Sequence, residues 1–300
     1  MTVRELLNFA IKKLSKSSNS PSLDAEVLLS HLLDKPKEYL LTNPNQIVAP
    51  RVEKQFNILL HRRLKGWPVA YLNNQKEFFG LKFYVDKHVL IPRPETEGLV
   101  ELVLAKVKSK KEKLKILDLG TGSGAIIITL AKKASSLRPP PSPLLFASDI
   151  SKSALEVAKR NAKQHKVKIT FKLGSLRQPW PNQIFDIIVA NLPYGWKQWK
   201  NNTSADTIGL KFEPPIALFT EDNGLKLIKD FLVQVSKLKH LPNLIILEFD
   251  PRQIKQIKKL AHQLLPAYKI KISKDLAGRD RYAVLSRTQA SGITKVRTRA

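Results

Sequence analysis

Hydrophobic and polar positions alternate at helical spacing from Thr2 to Gly66. The first predicted helix opens with the capping box TVRE, and its apolar face consists of Leu6, Leu7, Ala10, Ile11 and Leu14. The apolar stripe resumes in LDAEVLLSHLL after the break SSNSPS, and a third helix is predicted over PRVEKQFNILLHRRL, with proline at its start. This pattern predicts a small all-α domain over residues 1–70.

Residues 71–98 show an extended pattern. YLNNQKEFFGLKFYV has aromatic and β-branched residues around a glycine, and VLIPRPETEG follows with two prolines. We expect a linking hairpin and an ordered loop.

Strand and helix patterns alternate after Glu97, which is typical of a mostly parallel sheet with helices on both faces. Seven strands are predicted at KILDLG, LLFASDI, ITFKLG, FDIIVANLPY, NLIILEFD, YKIKIS and RYAVLS. Helices are predicted over residues 124–137, 152–165, 223–239 and 251–264. Only a short turn separates the last two strands, so we expect an antiparallel hairpin at one sheet edge. Such an α/β sheet, with one reversed strand near its end, resembles the class I methyltransferase sheet, which we assign to residues 99–287.

The composition of the chain excludes several kinds of functional site and argues against a membrane or secreted protein. The absence of cysteine excludes disulfides, thiolate catalysis and cysteine zinc sites, and the six histidines lack ligand spacing, so no metal is expected. No apolar run reaches transmembrane length, and the N-terminus lacks the apolar core of a signal peptide. We therefore expect a cytoplasmic protein that does not associate with membranes.

The formal net charge of +27 would attract nucleic acid, ribosomes or acidic proteins. The lysines are spread over almost every segment, so we assign most of the charge to a solvated surface. At most a weak ribosome or RNA association is expected from it. Residues 288–300 are small, polar and basic, which predicts a flexible tail.

A glycine-rich turn follows the first strand of the α/β region, and it consists of Gly120, Thr121, Gly122, Ser123 and Gly124. Glycines let a ligand approach the helix N-terminus, and Asp149, at the end of the next strand, can accept both hydroxyls of a ribose. Together they predict an adenosine-containing ligand. The same turn also fits the dinucleotide pattern GxGxxA or tight helix packing, and Asp149 would equally serve as a helix N-cap.

The tetrapeptide Asn191-Leu192-Pro193-Tyr194 leaves the fourth strand of the α/β region. Methyl transfer to a planar NH2 group is difficult because the nitrogen lone pair is delocalised. Two acceptors on its N–H bonds raise the electron density on nitrogen and orient the lone pair. The Asn191 side-chain oxygen and the Leu192 carbonyl can be these acceptors, while Pro193 fixes the chain and Tyr194 packs on the flat group. A proline turn that merely ends a strand becomes improbable when it follows the glycine turn and Asp149 in this order.

These motifs resemble the release-factor glutamine methyltransferase family, which methylates the glutamine amide of the Gly-Gly-Gln motif in class I peptide-chain release factors. The resemblance covers nearly the whole length, and the combination of IPRPETE with the later NLPY is its most specific part. Further matching segments are SLDAEVLL, HRRLKGWPVAYL, EFFGLKFYV, ILDLGTGSGAI, LKFEPPIALF with DNGL, and DLAGRDRYAVL.

The resemblance implies S-adenosylmethionine as cofactor, held by residues 120–124 and Asp149, with Asn191 at the boundary between cofactor and substrate. The NLPY residues 191–194 would then hold the glutamine amide, and the helical domain would grip the release factor. The IPRPETE loop lies near the active site in this family. We expect Arg93, Glu95 and Glu97 either to order this loop through salt bridges or to contact the substrate.

The chain departs from the family pattern at two positions. Leu192 replaces the usual proline of NPPY; because the acceptor is a backbone carbonyl, the chemistry is expected to be retained. Ser175 stands where an aspartate commonly contacts the adenine amino group, which leaves Leu176 to pack on the adenine.

Two alternative functions stay open, one of them enzymatic and the other not. The form NLPY also occurs in ribosomal RNA adenine N6 dimethyltransferases, although base extrusion should need more aromatic stacking than this region offers. A non-catalytic RNA- or ribosome-binding module with a methyltransferase-like fold is the second, motivated by Ser175, Leu192 and the charge.

Overall fold

The computed structural model describes residues 1–108, 113–134, 142–196 and 209–288. Its N-terminal part contains five helices: α1 (Val3–Leu14), α2 (Pro21–Leu33), α3 (Lys37–Thr42), α4 (Pro50–Leu64) and α5 (Val69–Leu72). The predicted capping box is confirmed, since the Thr2 hydroxyl accepts from the Glu5 N–H at 3.3 Å and the Glu5 carboxylate accepts from the Thr2 N–H at 2.8 Å. The three predicted helices are α1, α2 and α4.

The helices α3 and α5 were not predicted, because elements of six and four residues are too short to show a periodicity. Residues 71 and 72 were expected to be extended and belong instead to α5. Leu72 packs into the apolar core of the helical part together with Leu29 and Phe56. The division of the chain at residue 70 therefore falls inside a helix.

The predicted hairpin consists of β1 (Gln75–Phe78) and β2 (Leu81–Tyr84), which pair antiparallel. Its residues Phe78 and Phe83 are buried in the core of the α/β part rather than in the helical core. The loop that follows contains a short 3-10 turn, Pro94–Thr96, and runs directly into helix α6 (Glu97–Lys108), which was not predicted.

All seven predicted strands of the α/β region are present. They are β3 (Lys115–Leu119), β4 (Leu144–Asp149), β5 (Thr170–Leu173), β6 (Ile187–Ala190), β7 (Leu244–Glu248), β8 (Tyr268–Lys274) and β9 (Asp280–Arg287). Their order in the sheet is β5-β4-β3-β6-β7-β9-β8. The strand β9 runs antiparallel to both β7 and β8, and the other pairs are parallel, as predicted.

The remaining helices are α7 (Ala125–Ala134), α8 (Lys152–Gln164), α9 (Pro215–Leu218), α10 (Glu221–Gly224), α11 (Lys226–Ser236) and α12 (Ile254–Leu264). The helix predicted over 223–239 is shorter, because Asp222 and Asn223 adopt left-handed conformations and make α10 a turn. The helix predicted over 251–264 begins with a 3-10 turn, Pro251–Gln253, and another such turn spans Gly209–Phe212.

Some predicted boundaries fall outside the described residues or shift. Residues 135–137 of the helix predicted over 124–137 and residues 289–300 of the predicted tail are not among those described. Thr288, the first residue of the predicted tail, is held in place by a hydrogen bond, since its N–H donates to the Ala267 carbonyl at 3.0 Å. No helix in the described ranges is long and apolar enough to cross a membrane.

Candidate active site

Three neighbouring parallel strands bring the predicted site residues to one edge of the sheet. In the register of β3, Leu119 is paired with Ser148 of β4 and with Ala190 of β6. The next residue on each strand is therefore Gly120, Asp149 or Asn191, and the three follow in one row. Because adjacent strands lie about 4.8 Å apart, the Asp149 and Asn191 backbones are about 10 Å apart, on opposite sides of the glycine turn.

The glycine turn (residues 120–124) needs glycine for two different reasons. Gly122 has φ of 54°, and a Cβ placed there would meet no atom within 4 Å, so the backbone faces open space. Gly124 has φ of 81°, and a Cβ there would lie 2.7 Å from the Ile128 side chain. The turn therefore combines an open backbone at Gly122 with close packing against helix α7 at Gly124, and ligand binding at the turn stays a prediction.

Asp149 holds the turn from the neighbouring strand. Its Oδ2 accepts from the Gly122 N–H and its Oδ1 from the Ser151 N–H, both at 2.9 Å. The helix N-cap predicted as an alternative role for Asp149 belongs to Ser151, whose hydroxyl accepts from the Ala154 N–H at 3.2 Å. Burial raises the pKa of Asp149, and the backbone N–H donors of Ser151 and Gly122 oppose that shift.

Asp118 lies beneath the turn and is fully buried. Its Oδ2 accepts from the Thr121 hydroxyl at 2.7 Å, whereas its Oδ1 has no hydrogen-bond partner in the described part of the chain. Burial and, to a smaller extent, the nearby Asp149 charge raise the pKa of Asp118 to about 7, although the Thr121 hydroxyl lowers it. A buried, half-satisfied carboxylate at this position was not predicted from the sequence.

Leu176 is fixed by its backbone as well as by packing. It has φ of 50°, its carbonyl accepts from the Ser148 hydroxyl at 2.9 Å, and its side chain is 8% exposed. It belongs to the same apolar cluster as Leu119 and Leu192. Ser123, in the glycine turn, is also buried, and its carbonyl accepts from the Asn161 amide at 2.8 Å.

The NLPY segment (residues 191–194) begins where β6 ends. Asn191 donates from Nδ2 to the Thr96 hydroxyl at 3.0 Å. The Leu192 side chain is buried and would lie 3.3 Å from a Cβ on Gly120, so it packs against the glycine turn. Within the described residues, neither Asn191 Oδ1 nor the Leu192 carbonyl accepts a hydrogen bond. In the part of the chain that the structure describes, two acceptors at the end of β6 are therefore unused.

Tyr194 is held at both its hydroxyl and its backbone. The hydroxyl donates to Glu248 Oε1 at 3.0 Å, and the carbonyl accepts from Gln253 Nε2 at 3.1 Å. Burial and the Glu248 charge raise the pKa of Tyr194 well above its ordinary value, so the phenol stays protonated as a donor. Gly195 then donates its N–H to the Leu218 carbonyl at 2.9 Å, and its own carbonyl accepts from the Thr220 N–H at 3.0 Å.

The loop of residues 91–97 is anchored by its acidic and basic side chains. Arg93 forms a buried ion pair with Glu213 at 2.6 Å, and Glu213 also accepts from the Ile91 N–H at 3.0 Å. Glu97 accepts from the Phe79 N–H at 2.7 Å, and the Glu95 carbonyl accepts from the Tyr282 hydroxyl. Arg93 therefore orders the loop through a salt bridge, and Glu97 does so through a hydrogen bond to a backbone N–H. Contact of Arg93, Glu95 or Glu97 with the substrate stays a prediction.

Several residues of the site escaped the sequence analysis: Thr96, Asp118, Glu213, Glu248 and Gln253. Glu248 had a recognisable signal, since a carboxylate at the end of the apolar run LIILE has no reason to be buried unless it has partners. Among the described residues, no group of histidine, aspartate or glutamate could hold a metal ion.

Two family models match the chain. The PrmC N-terminal domain matches residues 5–72, and a methyltransferase domain matches residues 110–264. A release factor glutamine methyltransferase of Aliivibrio fischeri is 40% identical over 227 residues, which cover 75% of this chain and 76% of the relative. One of Bacillus cereus is 32% identical over 286 residues, which cover 94% of this chain and 98% of the relative.

A bifunctional methyltransferase of Rickettsia bellii is 36% identical over 86% of this chain, and the match spans 50% of that longer relative. Among solved structures, the hMettl16 catalytic domain in complex with a 3′UTR hairpin superposes with a TM-score of 0.55. It is 14% identical, and the match covers 87% of this chain and 92% of that one. This likeness shows a shared fold.

Proposed function

This chain belongs to the release factor glutamine methyltransferase family, and we propose that it transfers a methyl group to the side-chain amide nitrogen of the Gly-Gly-Gln glutamine in class I release factors. The observation that supports this substrate best is a pair of acceptors at the end of β6, Asn191 Oδ1 and the Leu192 carbonyl, which accept no hydrogen bond from the described residues. A primary amide presents two N–H donors, which match two acceptors on adjacent residues.

The methyl donor is S-adenosylmethionine, and the residues around the glycine turn suit it. The space over Gly122 lets a ligand reach the backbone, and the buried Asp118 Oδ1 is an acceptor without a partner among the described residues. Residues 120–124, Asp149 and Leu176 would hold the cofactor, with Asp149 at the ribose. When bound, the cofactor supplies an electrophilic methyl group on a positively charged sulfur.

The NLPY segment makes the amide nitrogen a better nucleophile. Asn191 Oδ1 and the Leu192 carbonyl accept its two N–H bonds, which favours a pyramidal nitrogen with its lone pair localised. Pro193 restricts the backbone, and the Tyr194 ring packs against the flat amide. As the bond from the methyl group to nitrogen forms, the bond from the methyl group to sulfur would break, and the cationic nitrogen would then lose one of its two protons. The acceptors interact most strongly when the nitrogen becomes cationic, so they stabilise the transition state more than the bound substrate.

The leucine in NLPY is accommodated by the fold. The Leu192 side chain is 4% exposed and packs against the glycine turn, so its backbone carbonyl is positioned by burial where proline would use ring rigidity. The family membership, together with this arrangement, favours a glutamine over an RNA adenine and an enzyme over a non-catalytic binding module.

The helical part, residues 1–70, contributes the surface on which a release factor docks. The proposed substrate places the reaction in the cytoplasm. The net charge of +27 adds a weak, salt-sensitive attraction to the ribosome or RNA.

Label transfer tests this function. The protein is incubated with tritiated S-adenosylmethionine and either a release factor or ribosomal RNA, and incorporation into each is counted. We expect label in the release factor alone, and none in a release factor whose Gly-Gly-Gln glutamine is replaced by alanine. Label in RNA alone would contradict the proposal.

A further inference from the structure

Two hydrogen bonds join side chains of the NLPY segment to buried polar side chains behind it. Asn191 Nδ2 donates to the Thr96 hydroxyl at 3.0 Å, and the Tyr194 hydroxyl donates to Glu248 Oε1 at 3.0 Å. The Thr96 hydroxyl lowers the pKa of Glu248, and Glu248 Oε2 has no hydrogen-bond partner within the described residues. Thr96 and Glu248 are 5% and 1% exposed, so water does not compete for these contacts.

The contact with Thr96 shows which way the Asn191 amide points. Asn191 Nδ2 donates to the Thr96 hydroxyl at 3.0 Å, so the Thr96 oxygen is the acceptor. An amide carries its NH2 group on one side and its oxygen on the other, so Asn191 Oδ1 faces away from Thr96.

Burial raises the pKa of Glu248 to about 7, while the Thr96 hydroxyl, the buried cation Arg281 and the Tyr194 hydroxyl lower it, and Glu95 raises it. Above that pH the carboxylate is ionised and acts only as an acceptor.

We propose that Thr96 is a positioning residue that, oriented by Glu248, fixes the Asn191 amide with Oδ1 toward the substrate. A flipped Asn191 would place an NH2 group against the NH2 of the substrate, which replaces an attraction by a donor–donor clash. The inference rests on the proposed function and assigns a purpose to Thr96 in the IPRPETE loop.

The loop is suited to this task because it is anchored independently of the substrate. The buried Arg93–Glu213 ion pair holds one end, and the Glu97 contact with the Phe79 N–H holds the other. Thr96 lies between these anchors and also donates its N–H to the Arg93 carbonyl at 3.0 Å. Its hydroxyl therefore meets Asn191 from a fixed position.

Two substitutions at one site test the role of the hydroxyl. Thr96→Val keeps the shape and removes the oxygen, whereas Thr96→Ser keeps the oxygen. At a pH above the pKa of Glu248, we expect Thr96→Val to lower kcat by about ten- to a hundredfold. The KM and the cofactor affinity should stay within about twofold of those of the parent. Thr96→Ser should recover kcat to within about threefold of the parent.

Thr129→Val is the matched control, because Thr129 is also fully buried and its hydroxyl has no hydrogen-bond partner within the described residues. It should leave kcat unchanged. Glu248→Gln tests the origin of the orientation. In this variant the Tyr194 hydroxyl would donate to the side-chain oxygen at position 248, so the side-chain NH2 group at that position would face Thr96. The Thr96 hydroxyl would then reverse its direction, and kcat should fall to the level of Thr96→Val.

A second measurement does not depend on methyl transfer. Hydrogen exchange of the Asn191 side-chain amide is followed by NMR in the full-length protein, with the resonance assigned by its loss in Asn191→Ala. Losing the Thr96 acceptor should accelerate this exchange by about tenfold or more, and Thr96→Ser should leave it slow.

The outcomes separate the inference from the proposed function. Unchanged kcat or unchanged amide exchange in Thr96→Val would overturn the role of Thr96, and so would failure of Thr96→Ser to recover both. Full activity of Glu248→Gln would overturn the part assigned to Glu248. If the parent protein labels no release factor, the proposed function fails, while the amide exchange still decides whether Thr96 fixes Asn191.

Discussion

Replacing Asp149 by asparagine tests its role in binding the ribose of the cofactor. The substitution keeps the side-chain shape and one acceptor oxygen but removes the charge. In the structure the two carboxylate oxygens accept from the Gly122 and Ser151 N–H groups, both at 2.9 Å. Asparagine can satisfy only one of these donors, and its NH2 group faces the other.

The expected loss of cofactor affinity follows from the removed charge, because the ribose hydroxyls would donate to a carboxylate in the parent. A hydrogen bond to a charged group contributes about 1.5–3 kcal/mol, and a factor of ten in affinity corresponds to about 1.4 kcal/mol. Asp149→Asn should therefore weaken S-adenosylmethionine binding by about ten- to a hundredfold, measured by isothermal titration calorimetry.

Ser151→Ala is the matched control, because Ser151 is the N-cap of helix α8 and its hydroxyl contacts the Ala154 N–H. It should lower the free energy of unfolding by about 1 kcal/mol and leave cofactor affinity within about twofold. Unchanged affinity in Asp149→Asn, with lower stability alone, would refute the ribose assignment.

Three further predictions concern catalysis, charge burial and pH. Asn191→Ala should lower kcat by about ten- to a thousandfold and leave the circular dichroism spectrum unchanged; activity within twofold of the parent would exclude its role as an acceptor. Glu213→Gln leaves Arg93 buried without its counter-charge and should lower the free energy of unfolding in urea by about 3–5 kcal/mol. As a control, Asp230→Asn breaks an exposed ion pair with Lys226 and should lower the same free energy by less than about 1 kcal/mol. Equal losses would contradict the burial argument. Because the pKa of Asp118 rises to about 7 in the folded state, the unfolded chain loses this proton first, and the parent should lose stability as pH rises from about 4 to about 7. Asp118→Asn removes this dependence, so the melting temperature of the variant should rise relative to that of the parent as pH increases over that interval. A difference in melting temperature that does not change with pH would refute the raised pKa.

The sheet could be predicted because each strand is a short, strongly apolar run bounded by turn residues. The reversed strand β9 was predicted because only a short turn separates it from β8. Helix α5 and the left-handed residues Asp222 and Asn223 escaped prediction, because short elements and positive φ angles at residues other than glycine depend on their tertiary contacts.

The residues of the candidate site likewise divide into those that local sequence reveals and those that depend on tertiary contacts. The glycine turn, Asp149 and the NLPY segment follow strands directly, so their chemistry is visible in local sequence. Thr96 and Asn191 are 95 positions apart in the chain, and Tyr194 and Glu248 are 54 apart. Such pairs become neighbours only through the sheet order, which a single sequence does not reveal at the level of side chains. The N-cap at Ser151 was missed because Asp149, two residues earlier, is an equally good capping residue type.

The central claim is that the NLPY segment binds a glutamine side-chain amide for methylation. Its most direct test is tandem mass spectrometry of a release factor incubated with this protein and S-adenosylmethionine. The account predicts that one methyl group is added to the side chain of the Gly-Gly-Gln glutamine, and that Asn191→Ala abolishes or strongly reduces this addition. A methyl group on any other residue, or the same modification at an undiminished rate with Asn191→Ala, would contradict it.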